Sequence, residues 1–257
     1  MEIAIVGFGR MGKSIALGLS KAGIDRRSIA VYDALPEALE EALKLGFKVC
    51  ESASLATRHA SVVIIAVKPG DVEKAVKGFA EDVSGKVVVS VAALVKLETL
   101  EKLIPKASVY RAMPNIAVEV NKGFTALAPA ERRNEIVEKV FGMLGEVVWV
   151  DEKALDMLTF FSASTPAAVA ELYDAFLLSA LRAGLPYHIA KKALAAVFRG
   201  VGALVEVKDV SNVRDSVITP RGVTIRIIEK LYTYGVKQRL LKALKDAYEE
   251  YEEVLGS

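Results

Sequence analysis

The sequence predicts an α/β protein in two parts: a doubly wound, mainly parallel sheet over residues 1–151, then an all-helical part over residues 152–257. Two observations support this division. Short apolar runs alternate with helical patterns through the first part, which is typical of parallel strands joined by helices. Past Asp151 no further run has the character of a strand, and the remaining segments show helical periodicity.

The first turn of the chain carries a dinucleotide-binding pattern. The apolar run Glu2–Val6 leads into Gly7-Phe8-Gly9-Arg10-Met11-Gly12 and then into a helical pattern. Between a strand and a helix, glycines at these three positions permit a sharp turn, close approach to a pyrophosphate and close helix–strand packing. The N–H groups at the start of the helix face the phosphates. We therefore expect residues 7–12 to bind a dinucleotide in a Rossmann-type domain, although a purely structural glycine turn is the alternative.

The second predicted strand ends on a carboxylate, Asp33, close to the offset at which an acidic residue binds the adenosine ribose. A carboxylate there repels a 2′-phosphate, so the sequence favours NADH over NADPH. Two alternatives stay open. Asp33 could instead cap the helix that starts near Pro36, and a 2′-phosphate could pair with one of three arginines, Arg10, Arg26 and Arg27.

The pattern along the chain predicts the remaining elements. In the first part, further strands are expected at 28–33, 62–67, 86–91 and 107–111, and edge strands at 123–127 and 146–150. Helices between them are expected at 35–45, 71–79, 97–103 and 134–144. The second part is expected to contain helices at 152–161, 166–183, 186–207, 213–217, 222–234 and 237–255.

Ligands on such sheets bind at the carboxyl ends of the strands. Besides the glycine turn and Asp33, three segments fall at these ends, and we expect them to contact the cofactor: Ala66-Val67-Lys68-Pro69, Ala92 and Met113-Pro114-Asn115. Lys68 as a catalytic lysine is a less favoured alternative to a cofactor contact.

Composition limits the classes of partner. The net charge of +2 gives no electrostatic case for nucleic acid or an anionic membrane. Cys50 is the only cysteine, and His59 and His188 are the only histidines, so a disulfide framework, a metal site or a serine–histidine triad has little to build on. We expect no metal, no membrane span and no export signal, and hence a cytoplasmic protein. A single glutamine among many charged residues fits a heat-adapted source.

The helix predicted from Pro166 is apolar almost all round, although Glu171, Asp174 and Arg182 interrupt it. A helix of this kind is normally buried on every side, and a helical part of about a hundred residues offers little cover. We therefore expect a homodimer formed through the helical part.

Five segments together resemble the pyrroline-5-carboxylate reductase family: Gly7-Phe8-Gly9-Arg10-Met11-Gly12, Ala66-Val67-Lys68-Pro69, Arg111-Ala112-Met113-Pro114-Asn115, Ser162-Ala163-Ser164-Thr165-Pro166 and Thr219-Pro220-Arg221-Gly222. The resemblance implies reduction of the cyclic imine 1-pyrroline-5-carboxylate to L-proline, in proline biosynthesis, with NADH or NADPH. It also implies that the helical domain forms the dimer, and by analogy that dimers assemble into a larger ring.

In that family, two loops hold the substrate carboxylate through backbone N–H groups and hydroxyls. The resemblance assigns this role to Ser162 and Ser164 in the first loop, and to Thr219, Arg221, Gly222, Val223 and Thr224 in the second. The family usually has Ser-Gly-Ser-Gly-Pro at the first loop and Ser-Pro-Gly-Gly at the second, so this chain departs from both. Arg221 replaces a glycine and could pair with a carboxylate, or it could indicate a different cyclic imine. Helix capping is the alternative role for the serines and Thr219.

Thr224 matches the family threonine that hydrogen-bonds the imine nitrogen, and it is the candidate catalytic residue. A threonine hydroxyl has no useful pKa near neutrality, so we expect it to orient the imine or relay a proton. The alternative is a hydroxyl that bonds the backbone of its own helix. Two other functions stay open: a β-hydroxyacid-type dehydrogenase, for which Lys191 or Lys192 would serve, and a non-catalytic NAD(P)-sensing protein.

Overall fold

The computed structural model describes residues 2–256. By their contacts, these residues divide into two compact units, 2–166 and 167–256. Residues 152–166 lie in the first unit because their helix packs against strands of the sheet. The functional boundary expected after residue 151 stays a prediction.

The first unit is built on a mainly parallel sheet, as the sequence predicts. Among residues 2–256 the strands form one eight-stranded sheet in the order β3-β2-β1-β4-β5-β6-β7-β8. The strands are β1 Ile3–Val6, β2 Ile29–Tyr32, β3 Lys48–Val49, β4 Val62–Ile65, β5 Val87–Ser90, β6 Ser108–Pro114, β7 Gly123–Ala128 and β8 Gly145–Trp149. All pairs are parallel except β6 with β7. The predicted fold class is confirmed, with one correction: β8 is an edge strand, whereas β7 lies between β6 and β8.

Apart from a short helix at 53–57, which was not predicted, the helices of this unit lie close to their predicted positions. They are α1 Arg10–Lys21, α2 Pro36–Lys44, α3 Ala53–Thr57, α4 Val72–Lys77, α5 Leu97–Leu103, α6 Glu135–Gly142 and α7 Glu152–Leu158. A π-helical segment, Thr159–Ser164, continues α7 directly into α8, Thr165–Arg182. The segment expected to be a loop around Ser162 is therefore helical, which corrects the sequence-based expectation.

The central strands β1, β4 and β5 are covered on both faces, which explains why they are apolar without alternation. In β1, Ile3 and Ile5 belong to one buried cluster, together with Ile15 and Leu19 of α1. Ala4 and Val6 face the opposite way and belong to a second cluster on the other side. Packing on both faces thus holds the strands in place, and with them the turns and loops that follow the strands.

Trp149, the chain's only tryptophan, closes β8 at the edge of this sheet. Its side chain is buried, and its indole Nε1–H donates to Glu138 Oε2 across 2.9 Å. Its ring meets Tyr110 edge to face, with 5.9 Å between the centroids. The indole thus links β8, β6 and α6 of the first unit.

The second unit consists of helices, and its described residues include no strand. After α8 come α9 Tyr187–Val205, α10 Val210–Asp215, α11 Val223–Thr233 and α12 Val236–Gly256. Phe198 of α9 packs against Tyr173 and Phe176 of α8. Large apolar side chains along α8 and α9 are exposed, including Val169, Phe176, Leu178, Val197 and Val201. None of the described helices has the length and apolar character needed to span a bilayer.

Candidate functional site

The sheet has a topological switch point at β1, because β2 lies on one side of it and β4 on the other. The parallel register puts the carboxyl ends of β1, β2, β4, β5 and β6 at one edge. Gly7 follows β1 and donates its N–H to Tyr32 O at 2.8 Å, and Ala66 follows β4 and donates to Val6 O at 2.8 Å. In doubly wound sheets this is where ligands bind.

The glycine turn has the shape that a diphosphate requires. Gly7 has a left-handed backbone (φ +101°), and a Cβ added there would lie 2.6 Å from the Ala66 backbone. A Cβ on Gly12 would overlap the Gly7 carbonyl oxygen, because α1 lies so close to the turn. A Cβ on Gly9 would meet nothing within 4 Å, so the chain leaves open space there. No protein atom requires the residue at this position to be glycine. A glycine is, however, what a backbone needs where a phosphate approaches it closely.

Helix α1 begins immediately after this open position, with Gly9 as its N-cap. The first helical bond within α1 runs from Lys13 N to Gly9 O, so the N–H groups of residues 10–12 precede the bonded ladder and are the donors that a helix offers to an anion. The side chain of Arg10 is exposed, that of Met11 is half-buried, and that of Phe8 is fully buried. The residues present therefore fit a dinucleotide diphosphate.

Asp33 follows β2 and contacts the glycine turn directly. Its Oδ2 accepts a hydrogen bond from Phe8 N at 2.6 Å, and its Oδ1 accepts one from Leu35 N at 2.9 Å. The N-cap position of α2 is Leu35, so Asp33 does not cap that helix. Its half-buried carboxylate lies at the position where a ribose is bound in related sheets.

The segments after β4 and β5 lie at the same edge. Ala66 and Val67 are half-buried, whereas Lys68 and Pro69 are exposed at the start of a short 3₁₀ turn. Ala92 is buried, and its N–H donates to Ser90 Oγ at 3.3 Å. Leu94, two residues on, has a left-handed backbone (φ +65°) that a non-glycine residue rarely adopts. This strained turn had no recognisable signal in the sequence.

The segment after β6 packs against the π-helical segment. Met113 is buried in a small cluster with Leu155 of α7, and Ala163 and Ala93 pack against that cluster. The structure therefore brings together Met113, expected to contact the cofactor, and the segment that carries Ser162 and Ser164. Asn115 turns its side chain inward, because its Oδ1 accepts from Ala117 N and Phe124 N.

Of the two serines in the π-helical segment, one has a hydroxyl without a hydrogen-bond partner in the described protein. Ser162 is half-buried, and its hydroxyl has no hydrogen-bond partner among residues 2–256. Ser164 is exposed, and its hydroxyl donates to Thr159 O at 3.0 Å within the helix. π-helical turns are rare and occur frequently at functional sites.

In the second unit, residues 219–224 form a tight turn into α11. Gly222 N donates to Thr219 O at 3.0 Å, and Gly222 is the N-cap of α11, which has no side-chain capping bond. Thr219 therefore does not cap the helix. Arg221 is exposed and left-handed (φ +61°), so it keeps a glycine-like backbone although it is an arginine. Val223 is exposed, and Thr224 is half-buried in the first turn of α11. Among the described residues the Thr224 hydroxyl has no hydrogen-bond partner, so it does not bond its own helix.

Other reactive side chains belong to other parts of the sequence. Cys50 is buried, and burial raises the pKa of its thiol, which keeps it protonated. His59 and His188 are exposed. In the part of the chain that the structure describes, no group of three or more histidine, cysteine or acidic side chains is arranged to hold a metal ion.

Two protein-family models match the chain. Residues 152–254 match the family model described as "Pyrroline-5-carboxylate reductase dimerisation". Residues 2–94 match the model described as "NADP oxidoreductase coenzyme F420-dependent". The pyrroline-5-carboxylate reductase of Synechocystis is 30% identical over 209 residues, which is 77% of this chain and 77% of that protein. The chain belongs to the pyrroline-5-carboxylate reductase family. The resemblance predicted from its motifs is therefore confirmed.

Solved structures of pyrroline-5-carboxylate reductases agree in fold along the whole chain. The enzyme of Coxiella burnetii is 27% identical with a TM-score of 0.82, covering 98% of this chain and 97% of that one. The pyrroline carboxylate reductase of Plasmodium falciparum, solved with NADP bound, has a TM-score of 0.84 at 21% identity, covering 100% and 98%.

One cluster of charged side chains was missed by reasoning from the sequence. Arg111, inside the Arg-Ala-Met-Pro-Asn segment of this reductase family, is fully buried and pairs with Glu152 and Asp156 of α7. Two signals were available: an arginine within an apolar strand, and two carboxylates spaced i, i+4 on the helix that follows β8.

Proposed function

We propose that this chain reduces 1-pyrroline-5-carboxylate to L-proline with a hydride from NADH or NADPH. The observation that carries the proposal is the open position at Gly9, at the start of α1, in a chain of the pyrroline-5-carboxylate reductase family. Imine reduction needs little acid–base machinery, since a protonated imine is already a good electrophile. The protein must bind, orient and shield the reactants.

The residues proposed to hold the coenzyme lie at the carboxyl edge of the sheet. The backbone of residues 7–12 would bind the diphosphate, and Asp33 the adenosine ribose. Further contacts are proposed from residues that follow β4, β5 and β6: Ala66, Val67, Lys68, Pro69, Ala92, Met113, Pro114 and Asn115. When bound, the nicotinamide supplies the hydride from its C4 carbon.

We infer a modest preference for NADH over NADPH. Asp33 supports it, because its carboxylate is oriented by two backbone N–H groups and carries a negative charge where a 2′-phosphate would lie. Arg10 is exposed beside the turn and supports the opposite preference. The preference therefore depends on the opposing charges of Asp33 and Arg10, and the ratio of kcat/KM for the two coenzymes tests it.

For the substrate, the family resemblance assigns two sets of residues. In the first unit Ser162 has a free hydroxyl and Ser164 lies two residues further along the same segment. In the second unit Thr219, Arg221 and Gly222 form the turn before α11 and Val223 begins the helix, where backbone N–H groups and a guanidinium favour a carboxylate. The unpaired hydroxyl of Thr224 is proposed to hydrogen-bond the imine nitrogen and to relay its proton.

We propose a homodimer formed through residues 152–257, with a larger ring of dimers as the further expectation. The exposed apolar residues of α8 and α9 support the dimer, because several large apolar side chains exposed on two helices that pack together are typical of an interaction surface. A cytoplasmic location, a place in proline biosynthesis and a heat-adapted source stay predictions.

Steady-state oxidation of each reduced coenzyme by 1-pyrroline-5-carboxylate tests the proposal. Turnover with the imine is expected, and carbonyl acids of the β-hydroxyacid dehydrogenase type should react far more slowly. Turnover with a carbonyl acid alone would indicate a β-hydroxyacid-type dehydrogenase. Tight coenzyme binding without turnover of either substrate would indicate a sensing protein.

A further inference from the structure

A buried arginine joins the sheet of the first unit to the helix that leads into the serine-bearing segment. Arg111 lies in the middle of β6 and is 1% exposed. We infer that Arg111 is a positioning residue: through Glu152 and Asp156 it fixes α7, and with it the π-helical segment that carries Ser162 and Ser164. The kinetic part of this inference rests on the proposed function.

The ion pairs are short and involve both ends of the guanidinium. Arg111 Nη1 donates to Glu152 Oε1 at 2.6 Å, and Arg111 Nη2 donates to Asp156 Oδ1 at 2.9 Å. The two carboxylates are four residues apart, so they lie on one face of α7. Charge-assisted bonds from one planar group to two neighbouring helix positions fix both the rotation of α7 and its height over the sheet.

A third element is held by the same carboxylates. Glu152 Oε1 also accepts from Leu97 N at 2.7 Å, at the start of α5, and Lys96 Nζ donates to Asp156 Oδ2 at 2.9 Å. Lys96 and Arg111 thus offset the negative charge of the two carboxylates; Arg111 and Asp156 are buried, whereas Glu152 and Lys96 are partly exposed. The cluster thus joins β6, α5 and α7.

Arg111 cannot itself bind the substrate carboxylate. Each terminal nitrogen already donates to a carboxylate, and solvent reaches almost none of the side chain. Its Nε is buried without a hydrogen-bond partner among the described residues. A buried arginine bound to two carboxylates of one helix acts on them, and through them on α7.

The fixed helix leads without a break to the serines. The Thr159 hydroxyl donates to Leu155 O at 3.0 Å, and the Ser164 hydroxyl donates to Thr159 O at 3.0 Å. Leu155 and Ala163 pack with Met113, on the same strand as Arg111. Movement of α7 would therefore move the π-helical segment relative to the carboxyl end of β6.

Glu152→Gln is the main test, because it removes one charge while keeping an acceptor for Leu97 N. Arg111→Lys and Arg111→Met form a second pair, in which lysine can restore one ion pair and methionine none. The matched control is Glu101→Gln, which breaks an ion pair of equal length, 2.6 Å to Arg132, between exposed side chains of the same unit. Steady-state kinetics with the imine and hydrogen exchange of residues 159–165 are measured on each variant.

We expect Glu152→Gln to raise KM for the imine about tenfold, with KM for the coenzyme changed less than about twofold. Exchange of residues 159–165 should become about tenfold faster, and that of residues 10–20 should not change. Arg111→Lys should retain more of the wild-type KM than Arg111→Met, and Glu101→Gln should match wild type.

Equal rises in both KM values, or unchanged exchange at residues 159–165, would overturn the positioning role. If wild type does not turn over the imine, the proposed function fails, and exchange alone then decides whether Arg111 fixes the segment. If Arg111→Met does not fold, the decision rests on Glu152→Gln and Arg111→Lys.

Discussion

The carboxylate of Asp33, at the end of β2, accepts a 2.6 Å hydrogen bond from the backbone N–H of Phe8 in the glycine turn. One side chain thus fixes the shape of the proposed diphosphate site and carries the charge that a ribose phosphate would meet. Coenzyme choice and turn geometry are therefore coupled through Asp33.

Asp33→Ser should shift the ratio of kcat/KM towards NADPH by about tenfold, because the repelling charge is lost. Both KM values should rise, since the shorter hydroxyl no longer fixes the turn. Asp151→Ser is the control: Asp151 also accepts from a backbone N–H, of Ala154 at 2.7 Å, at a helix start after β8. An unchanged coenzyme ratio in Asp33→Ser would mean that the carboxylate does not lie at the ribose.

Gly9→Ala should weaken coenzyme binding about tenfold or more without loss of folding. Its backbone is extended and a Cβ would meet no protein atom, so only the bound diphosphate would be displaced. Gly142→Ala, another glycine with open space, at the end of α6, is the control and should stabilise the fold by at most about 1 kcal/mol. Calorimetric titration and thermal melts measure both. Wild-type affinity in Gly9→Ala would place the diphosphate elsewhere.

Much of the first unit could be predicted from the sequence. Continuous apolar runs, such as those of β4 and β5, are buried on both faces, and this burial makes the pattern unambiguous. The two-residue strand β3 and the short helix α3 are too brief for a period to be recognised.

The ion-pair cluster and the π-helical segment could not be predicted in the same way. Arg111 meets its partners 41 and 45 residues along the chain, and no local pattern records that pairing. The extra residue per turn at Thr159–Ser164 depends on packing against β6, which a helical period does not show.

Thr224→Ala should lower kcat about a hundredfold with little change in KM, because a group that orients or relays a proton acts in the transition state. Thr224→Ser keeps the hydroxyl and should retain most of the rate. Thermal melts check that α11 is intact, which is expected because the hydroxyl makes no bond within the described protein. A wild-type kcat in Thr224→Ala would remove this residue from the chemistry.

Arg221→Gly should raise KM for the imine about tenfold, since a cation next to the proposed carboxylate site is lost. Folding should survive, because glycine adopts the left-handed backbone at Arg221 without the strain of about 1 kcal/mol or more that a side chain bears. Arg221→Lys keeps the charge and should lie between the two. If KM for the imine is unchanged or falls, Arg221 does not hold the carboxylate, and assays with other cyclic imines follow.

Phe176→Glu should dissociate the proposed dimer, because it introduces a charge into the exposed apolar face of α8, where the ring is 52% exposed. Leu43→Glu is the matched control, because Leu43 is 66% exposed on α2 of the first unit. Sedimentation velocity distinguishes the species. A Phe176→Glu protein that sediments as wild type would place the interface elsewhere.

The position of Trp149 gives the first half of the molecule a spectroscopic signal of its own. Indole emission comes solely from β8, where the ring rests against Tyr110 and Glu138, so it reports melting of the sheet. Far-ultraviolet dichroism also records residues 167–256, whose folded elements are helices. Denaturation followed by both probes can therefore resolve whether the halves lose structure together, without any engineered label.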